Sequence, residues 1–244
     1  MKPKVIIIRG PGTNCELETK NAFEYVGANV SLIHVNNLLS GEERIDDYDI
    51  LVLPGGFSYG DDISAGKILS VKIKKLFSDF GKFINSNRPL LGICNGFQVL
   101  VKSGFIPENK NSRQTVTLAT NNCGHFICAH VELQVNKKSA CIFTKGLPEK
   151  ISLPIAHGEG KFVASNRVLS DIKNKNLDAL TYIRNPNGSA GNIAGLCNEK
   201  GNCFGLMPHP ERNFLVYQSL CQRKSGETRE VGWRMFKNAV DYVK

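Results

Sequence analysis

In Gly92-Ile93-Cys94-Asn95-Gly96 a cysteine stands between two glycines. The apolar run Leu90 to Ile93 precedes it and a helix-forming segment follows. A strand that turns sharply into a helix in this way presents a nucleophile at the top of a sheet. The glycines suit such a turn, because a side chain at either position would collide with neighbouring backbone. Cys94 would then lie at a helix N-terminus, where unpaired amides and the dipole favour negative charge. The Asn95 amide is a candidate donor to a developing oxyanion.

A nucleophilic thiol needs a base. The segment Leu206-Met207-Pro208-His209-Pro210-Glu211-Arg212 offers one. In an extended chain, residues two apart point to the same side. The prolines flanking His209 favour that geometry, so Glu211 is expected to orient the His209 imidazole toward Cys94. A third segment, Leu53-Pro54-Gly55-Gly56-Phe57-Ser58-Tyr59-Gly60-Asp61, ends another apolar run. Its glycines allow close backbone approach, and the Gly56 amide is the candidate second oxyanion donor.

The surrounding elements must carry these groups. Lys4 to Ile8, Val30 to Val35, Ile50 to Leu53 and Pro89 to Ile93 read as short strands. Helical spacing falls between them: around Ala22, Phe23 and Val26, then in one long helix through Leu69, Ile73, Leu76, Phe80 and Ile84, then from Asn95 to Ser103. Continuous apolar strands alternating with helices predict an α/β fold, a parallel sheet covered on both faces. Val116 to Leu118 and Phe126 to Val135 alternate more, as antiparallel or half-exposed strands do. Further strands are expected at Ala179 to Ile183, Ile193 to Cys197 and Cys203 to Met207, and a closing helix through Phe236, Ala239 and Val243. No repeat or linker divides the chain, so residues 1–244 read as one domain.

Of 244 residues, 41% are hydrophobic and 22% charged, which suits a folded core and not a disordered chain. The net charge of +9 comes from scattered lysines and arginines with no nucleic-acid-binding signature, so a solvated basic surface is expected and no nucleic-acid partner. The opening apolar run, Val5 to Ile8, is too short for a signal-peptide core. No stretch has the apolar length of a membrane span. A cytoplasmic protein with its eight cysteines as thiols is therefore expected. Cys123, His125, Cys128 and His130 crowd into eight positions, but their spacing fits an alternating strand better than zinc ligation, and no metal is expected.

Together the three segments resemble the class I, triad-type glutamine amidotransferases, in particular the branch of glutaminase subunits of phosphoribosylformylglycinamidine synthase (PurQ-type). The resemblance runs nearly end to end. It includes Pro11-Gly12-Thr13-Asn14-Cys15-Glu16, Pro154-Ile155-Ala156-His157-Gly158-Glu159-Gly160 and Asn185-Pro186-Asn187-Gly188-Ser189. It implies a flavodoxin-like, mostly parallel central sheet with helices on both faces. It implies catalysis by Cys94, His209 and Glu211, an oxyanion held by Gly56 and Asn95, and L-glutamine contacted by Gln98 and His157. It also implies that ammonia passes to an ATP-dependent synthetase subunit (PurL-type), which carries ATP and Mg, with a small bridging subunit (PurS-type); no cofactor is expected on this chain. Indeed Gly10-Pro11-Gly12-Thr13 lacks the lysine of a phosphate-binding loop.

Two segments depart from the branch. Asp62-Ile63-Ser64-Ala65 stands where many relatives carry an aromatic and an arginine, and Leu215 to Glu230 is longer than in compact relatives. Both are expected near the partner-facing surface. Rival readings are a thiol peptidase of the same fold, a glutaminase serving another synthetase, and a catalytically silent scaffold. The Gln98-bearing elbow and the intact Cys94, His209 and Glu211 speak against the first and the last.

Overall fold

The computed structural model describes residues 1–108, 113–218 and 231–244. The first half alternates strand and helix: β1 (Lys4–Arg9), α1 (Glu16–Tyr25), β2 (Asn29–His34), α2 (Val35–Ser40), β3 (Ile50–Leu53), α3 (Lys67–Lys74), α4 (Phe77–Asn85), β4 (Leu90–Ile93) and α5 (Asn95–Ser103). Then come β5 (Val116–Ala119), β6 (Ile127–Val135), β7 (Lys150–His157), β8 (Lys161–Ala164), α6 (Asn166–Asn174), β9 (Leu180–Tyr182), β10 (Ile193–Cys197), β11 (Cys203–Leu206) and α7 (Val231–Tyr242).

Nine strands form one sheet in the order β2-β1-β3-β4-β11-β10-β9-β6-β7, and β5 pairs with β8 in a small ribbon. From β2 through β11 all neighbours are parallel. From β11 to β7 all are antiparallel. Following these pairings, only β10 and β6 run against the rest, so the sheet is mixed in pairing but mostly one-directional. The C-terminal ends of β1, β3, β4, β11 and β7 therefore share one edge, which is where open α/β sheets place their sites.

Strands β1, β3, β4 and β11 are short apolar runs with helices on both faces, and Val5–Ile8, Leu90, Leu91 and Phe204 are fully buried. Phe23 of α1 meets Phe236 of α7 edge to face at 4.9 Å, while Phe77 and Phe80 of α4 stack on Phe105.

Several expectations change. The single long helix from Leu69 to Ile84 is two, α3 and α4, broken at Lys75–Leu76. The halves pack on different partners, α3 against α5 and α4 against the turn at Ile45–Asp47. Val35 does not end β2 but opens α2, because the His34 ring accepts a hydrogen bond from the Asn36 amide and caps a helix there. Strands β7 and β8 and helix α6 are additional. Of the long 215–230 segment, residues 219–230 lie outside the described residues.

Candidate functional site

At the end of β4, Cys94 takes φ 49°, ψ −103° and leads into α5, a strained left-handed backbone for a residue with a side chain. The flanking glycines make the elbow possible. A Cβ on Gly96 would overlap the Leu53 carbonyl of β3, and one on Gly92 would lie 2.8 Å from Gly96 backbone. Cys94 is buried, and its thiol points at the Ala156 carbonyl of β7, 3.6 Å away.

The loop after β3 lies alongside the loop after β1. Thr13 bridges to Gly56, the Phe57 amide donates to the Gly12 carbonyl (2.9 Å) and the Cys15 amide to the Gly55 carbonyl (3.3 Å). Gly56 has φ 137°, and a Cβ there would press on the Thr13–Asn14 backbone. Gly56, Cys94, Gln98, His157 and Glu159 all line one cavity of about 140 Å³. A larger surface groove of about 570 Å³ beside α7 shares no residue with it.

After β11 the chain does not stay extended. Pro210–Arg212 forms a 3-10 turn with Pro210 in its first position. This corrects the extended geometry expected for 209–211: proline lacks only a donor that the first turn does not use. The turn still brings Glu211 Oε1 to 2.6 Å from His209 Nδ1. Both residues are buried, and the His209 amide donates to the Pro154 carbonyl (2.8 Å), tying the turn to β7. Burial opposes a charge on His209, but the Glu211 carboxylate, then the Cys94 and Cys15 sulfurs, lift its pKa well above the ordinary imidazole value. His209 Nε2 has no hydrogen-bond partner.

The other expected site residues are held more tightly than sequence suggests. Asn95 turns its side chain away from the elbow: its Oδ1 accepts from Ser58 Oγ (2.6 Å), and its Nδ2 donates to Asp61 (3.0 Å) and Gln98 (2.9 Å). Gln98 in turn donates to the Glu159 carbonyl (2.6 Å), so both ends of its amide are bonded within the protein. His157 ends β7 with Nδ1 3.1 Å from Asn121 Oδ1 and Nε2 unpartnered. Burial, then repulsion from His209, push its pKa down to about 4.

Sequence reasoning did not single out the network behind these residues. Lys102, buried in α5, donates to the Ala65 carbonyl and lies 3.8 Å from Glu159. Glu159 accepts from the Ala65 amide (3.2 Å). Burial pushes the Asp61 carboxyl up, and it accepts from the Gly66 amide (3.2 Å). The departing segment Asp62 to Ala65 is thus anchored at Ala65, while Ile63 beside it is exposed. A buried lysine has no sequence signature, so only coordinates reveal it.

The alternating strand expected for Cys123 to His130 is not formed: Cys123 and His125 lie in the turn before β6, which begins at Ile127, and Cys128 and His130 are both exposed, so the four do not cluster as metal ligands. Among the described residues, the one cluster of metal-ligand type is Cys15, His209 and Glu211. All seven described cysteines are free. Among the described residues, no helix is long and apolar enough to cross a membrane.

Comparison with known proteins gives this geometry a family. The CobB/CobQ-like glutamine amidotransferase domain matches residues 2–243. The PurQ subunit of phosphoribosylformylglycinamidine synthase from Dehalococcoides mccartyi is 40% identical, covering 100% of this chain and 98% of that protein. The chain belongs to the PurQ family. It is thus a glutamine amidotransferase subunit of phosphoribosylformylglycinamidine synthase, an enzyme of purine biosynthesis. The Treponema denticola PurQ is 38% identical over the whole of both chains. In the PurLQS structure from Thermotoga maritima, one chain superposes with TM-score 0.80 at 33% identity, covering 100% of both. A Trypanosoma brucei CTPS glutaminase domain at TM-score 0.63 and 14% identity shares the fold.

Proposed function

We propose that Cys94 is the nucleophile that attacks the side-chain amide of L-glutamine, with His209 as its base and Glu211 as the group that orients and charges that base. The arrangement carrying this reading is a cavity lined by Cys94, on its strained elbow, and by Gly56, together with a buried His209–Glu211 pair at 2.6 Å whose imidazole feels the Cys94 sulfur.

The Cys94 proton passes to His209 Nε2 as the sulfur bonds to the amide carbon. The oxygen takes the negative charge, facing the amides of Gly56 and Asn95. His209 then returns the proton to the amide nitrogen as the C–N bond breaks, releasing ammonia and leaving a γ-glutamyl thioester. A water gives its proton to His209 and its oxygen to the thioester carbon, and glutamate leaves as the thiol re-forms. In this reading Gln98 and His157 shape the glutamine pocket. Gln98 braces the Glu159 loop, and His157 offers a neutral Nε2. Asp62 to Ala65 beside the cavity face the partner.

The ammonia is consumed elsewhere. The PurLQS relative supports a synthetase partner of the PurL kind and a PurS-type bridging subunit. In this reading ATP and Mg are held by the synthetase, this chain carries no cofactor, and it acts in the cytoplasm as one domain. Glutamate release, measured with and without the cognate ATP-dependent subunit, tests this. The reading expects release that the partner stimulates and that Cys94→Ala abolishes in a folded protein. Undiminished release by that variant would overturn it.

A further inference from the structure

Two cysteines bear on His209, and the reaction above uses only one. Cys15 lies at the N-terminus of α1 and is 1% exposed. It does not line the cavity that holds Cys94. Its Sγ, a His209 ring nitrogen and a Glu211 oxygen lie within 4.8 Å of one another. The sulfur is held from the other side: Arg212 Nη2 donates to it at 3.0 Å, and its own proton goes to Asn14 Oδ1 at 3.3 Å. Gly55 forms the floor between the two residues, where a Cβ would sit 3.0 Å from His209 Cε1 and 3.2 Å from Cys15 Sγ. The imidazole thus has Glu211 at Nδ1, Gly55 beneath it, Cys15 at its flank, and the Cys94 thiol and the neutral His157 ring beyond.

We propose that Cys15, clamped by Arg212, is a positioning residue for His209, which fixes the ring between Glu211 and Cys94. Its sulfur is polarisable and electron-rich, and it faces the ring that gains a positive charge when Cys94 loses its proton. It does not line the cavity in which glutamine would react. Arg212 follows Glu211 in the same turn, with Nε 4.0 Å from Glu211 Oε1. One short segment therefore supplies the base, its carboxylate and the clamp on its second neighbour.

The inference rests on reading His209 as the base, and its test separates the two. Wild type, Cys15→Ser and Cys15→Ala are compared in glutamine hydrolysis, thermal unfolding and NMR titration of isotope-labelled histidine. The chain has five histidines, and His209→Asn assigns the signal. Cys15→Ala should lower kcat roughly tenfold with KM changed less than about twofold. It should also lower the pH at which the His209 ring loses its proton. Cys15→Ser keeps an acceptor for Arg212 and should recover most of both. A Cys15→Ala protein with wild-type kcat and an unmoved His209 titration overturns the proposal. So do Ser and Ala variants that lose activity only in step with melting temperature while the titration stays put. Failure of Cys94 as nucleophile would show instead in the wild type, as no Cys94 adduct with an alkylating glutamine analogue.

Discussion

Strands β1, β3, β4 and β11 bury almost every side chain they carry, whereas β6 and β7 alternate buried with part-exposed residues. Both halves of the sheet reach the same edge, but they deliver different parts. The loops after β3, β4 and β11 supply Gly56, Cys94 and the His209–Glu211 pair. Strand β7 and the turn after it supply the wall, with Ala156, His157 and Glu159. Groups that must meet within a few tenths of an ångström sit on strands packed on both faces, where displacement is costly. The wall stands on a half that packs on one face and tolerates change.

The most damaging change should strike the buried half. Gly96→Ala drives a methyl into the Leu53 carbonyl and is expected to remove more than about 4 kcal/mol of stability, as other severe backbone clashes do. In the wall, a Cβ on Gly158 meets only Phe126 at 3.9 Å, so Gly158→Ala should stay within about 0.5 kcal/mol. Denaturant unfolding of both variants decides. Equal losses would erase the contrast between the halves.

Next in size is Glu211→Gln. It removes the carboxylate that holds the His209 proton and leaves a neutral amide in a buried site. Glutamine hydrolysis should fall roughly 10³-fold with KM little changed. A loss below about tenfold would mean that His209 is held by its other neighbours instead.

The smallest effect is on pH dependence, and it has opposite signs in the two regions. His157, in the wall, has its pKa lowered to about 4 from 6.5. The unfolded chain takes up its proton first, so stability falls as pH drops through that window, by about 3 kcal/mol when complete. His209 has a raised pKa. Its contribution is fully present below 6.5 and is lost as pH rises through the raised value. Unfolding free energy measured from pH 7 to 4 should therefore fall less steeply in His157→Gln than in wild type. Parallel curves would contradict the placement of a neutral, buried His157.

The same contrast governs what could be read from the sequence. Continuous apolar runs between helices located β1, β3, β4, β10 and β11 to within a residue or so, and α5 at both ends, because burial on both faces leaves an unmistakable composition. Cys94 and His209 were legible because glycine and proline fix the backbone around them. In the wall the signal thins. Strand β7 alternates, with Ile151, Leu153 and Ile155 buried, but Pro154 in its midst reads against a strand and is accommodated because β7 lies at the sheet edge; β8 is short and buries only Phe162. The break between α3 and α4 was invisible because both helices keep the same apolar spacing and only their partners differ. The extended link drawn from His209 to Glu211 reached the right pairing through the wrong backbone, since proline fits a first helical turn as well as a strand. Lys102 under the elbow and Cys15 beside His209 depend on contacts between segments far apart in the chain, which no local pattern encodes.

The most direct test asks which sulfur reacts. Two thiols flank one imidazole, and the account assigns the chemistry to the one on the elbow. The wild-type protein would be treated with an alkylating glutamine analogue, with and without excess glutamine, and its peptides mapped by mass spectrometry. The account predicts a single adduct on Cys94 that glutamine prevents, with Cys15 unmodified. An adduct on Cys15, or none on Cys94 in a protein that hydrolyses glutamine, would contradict it.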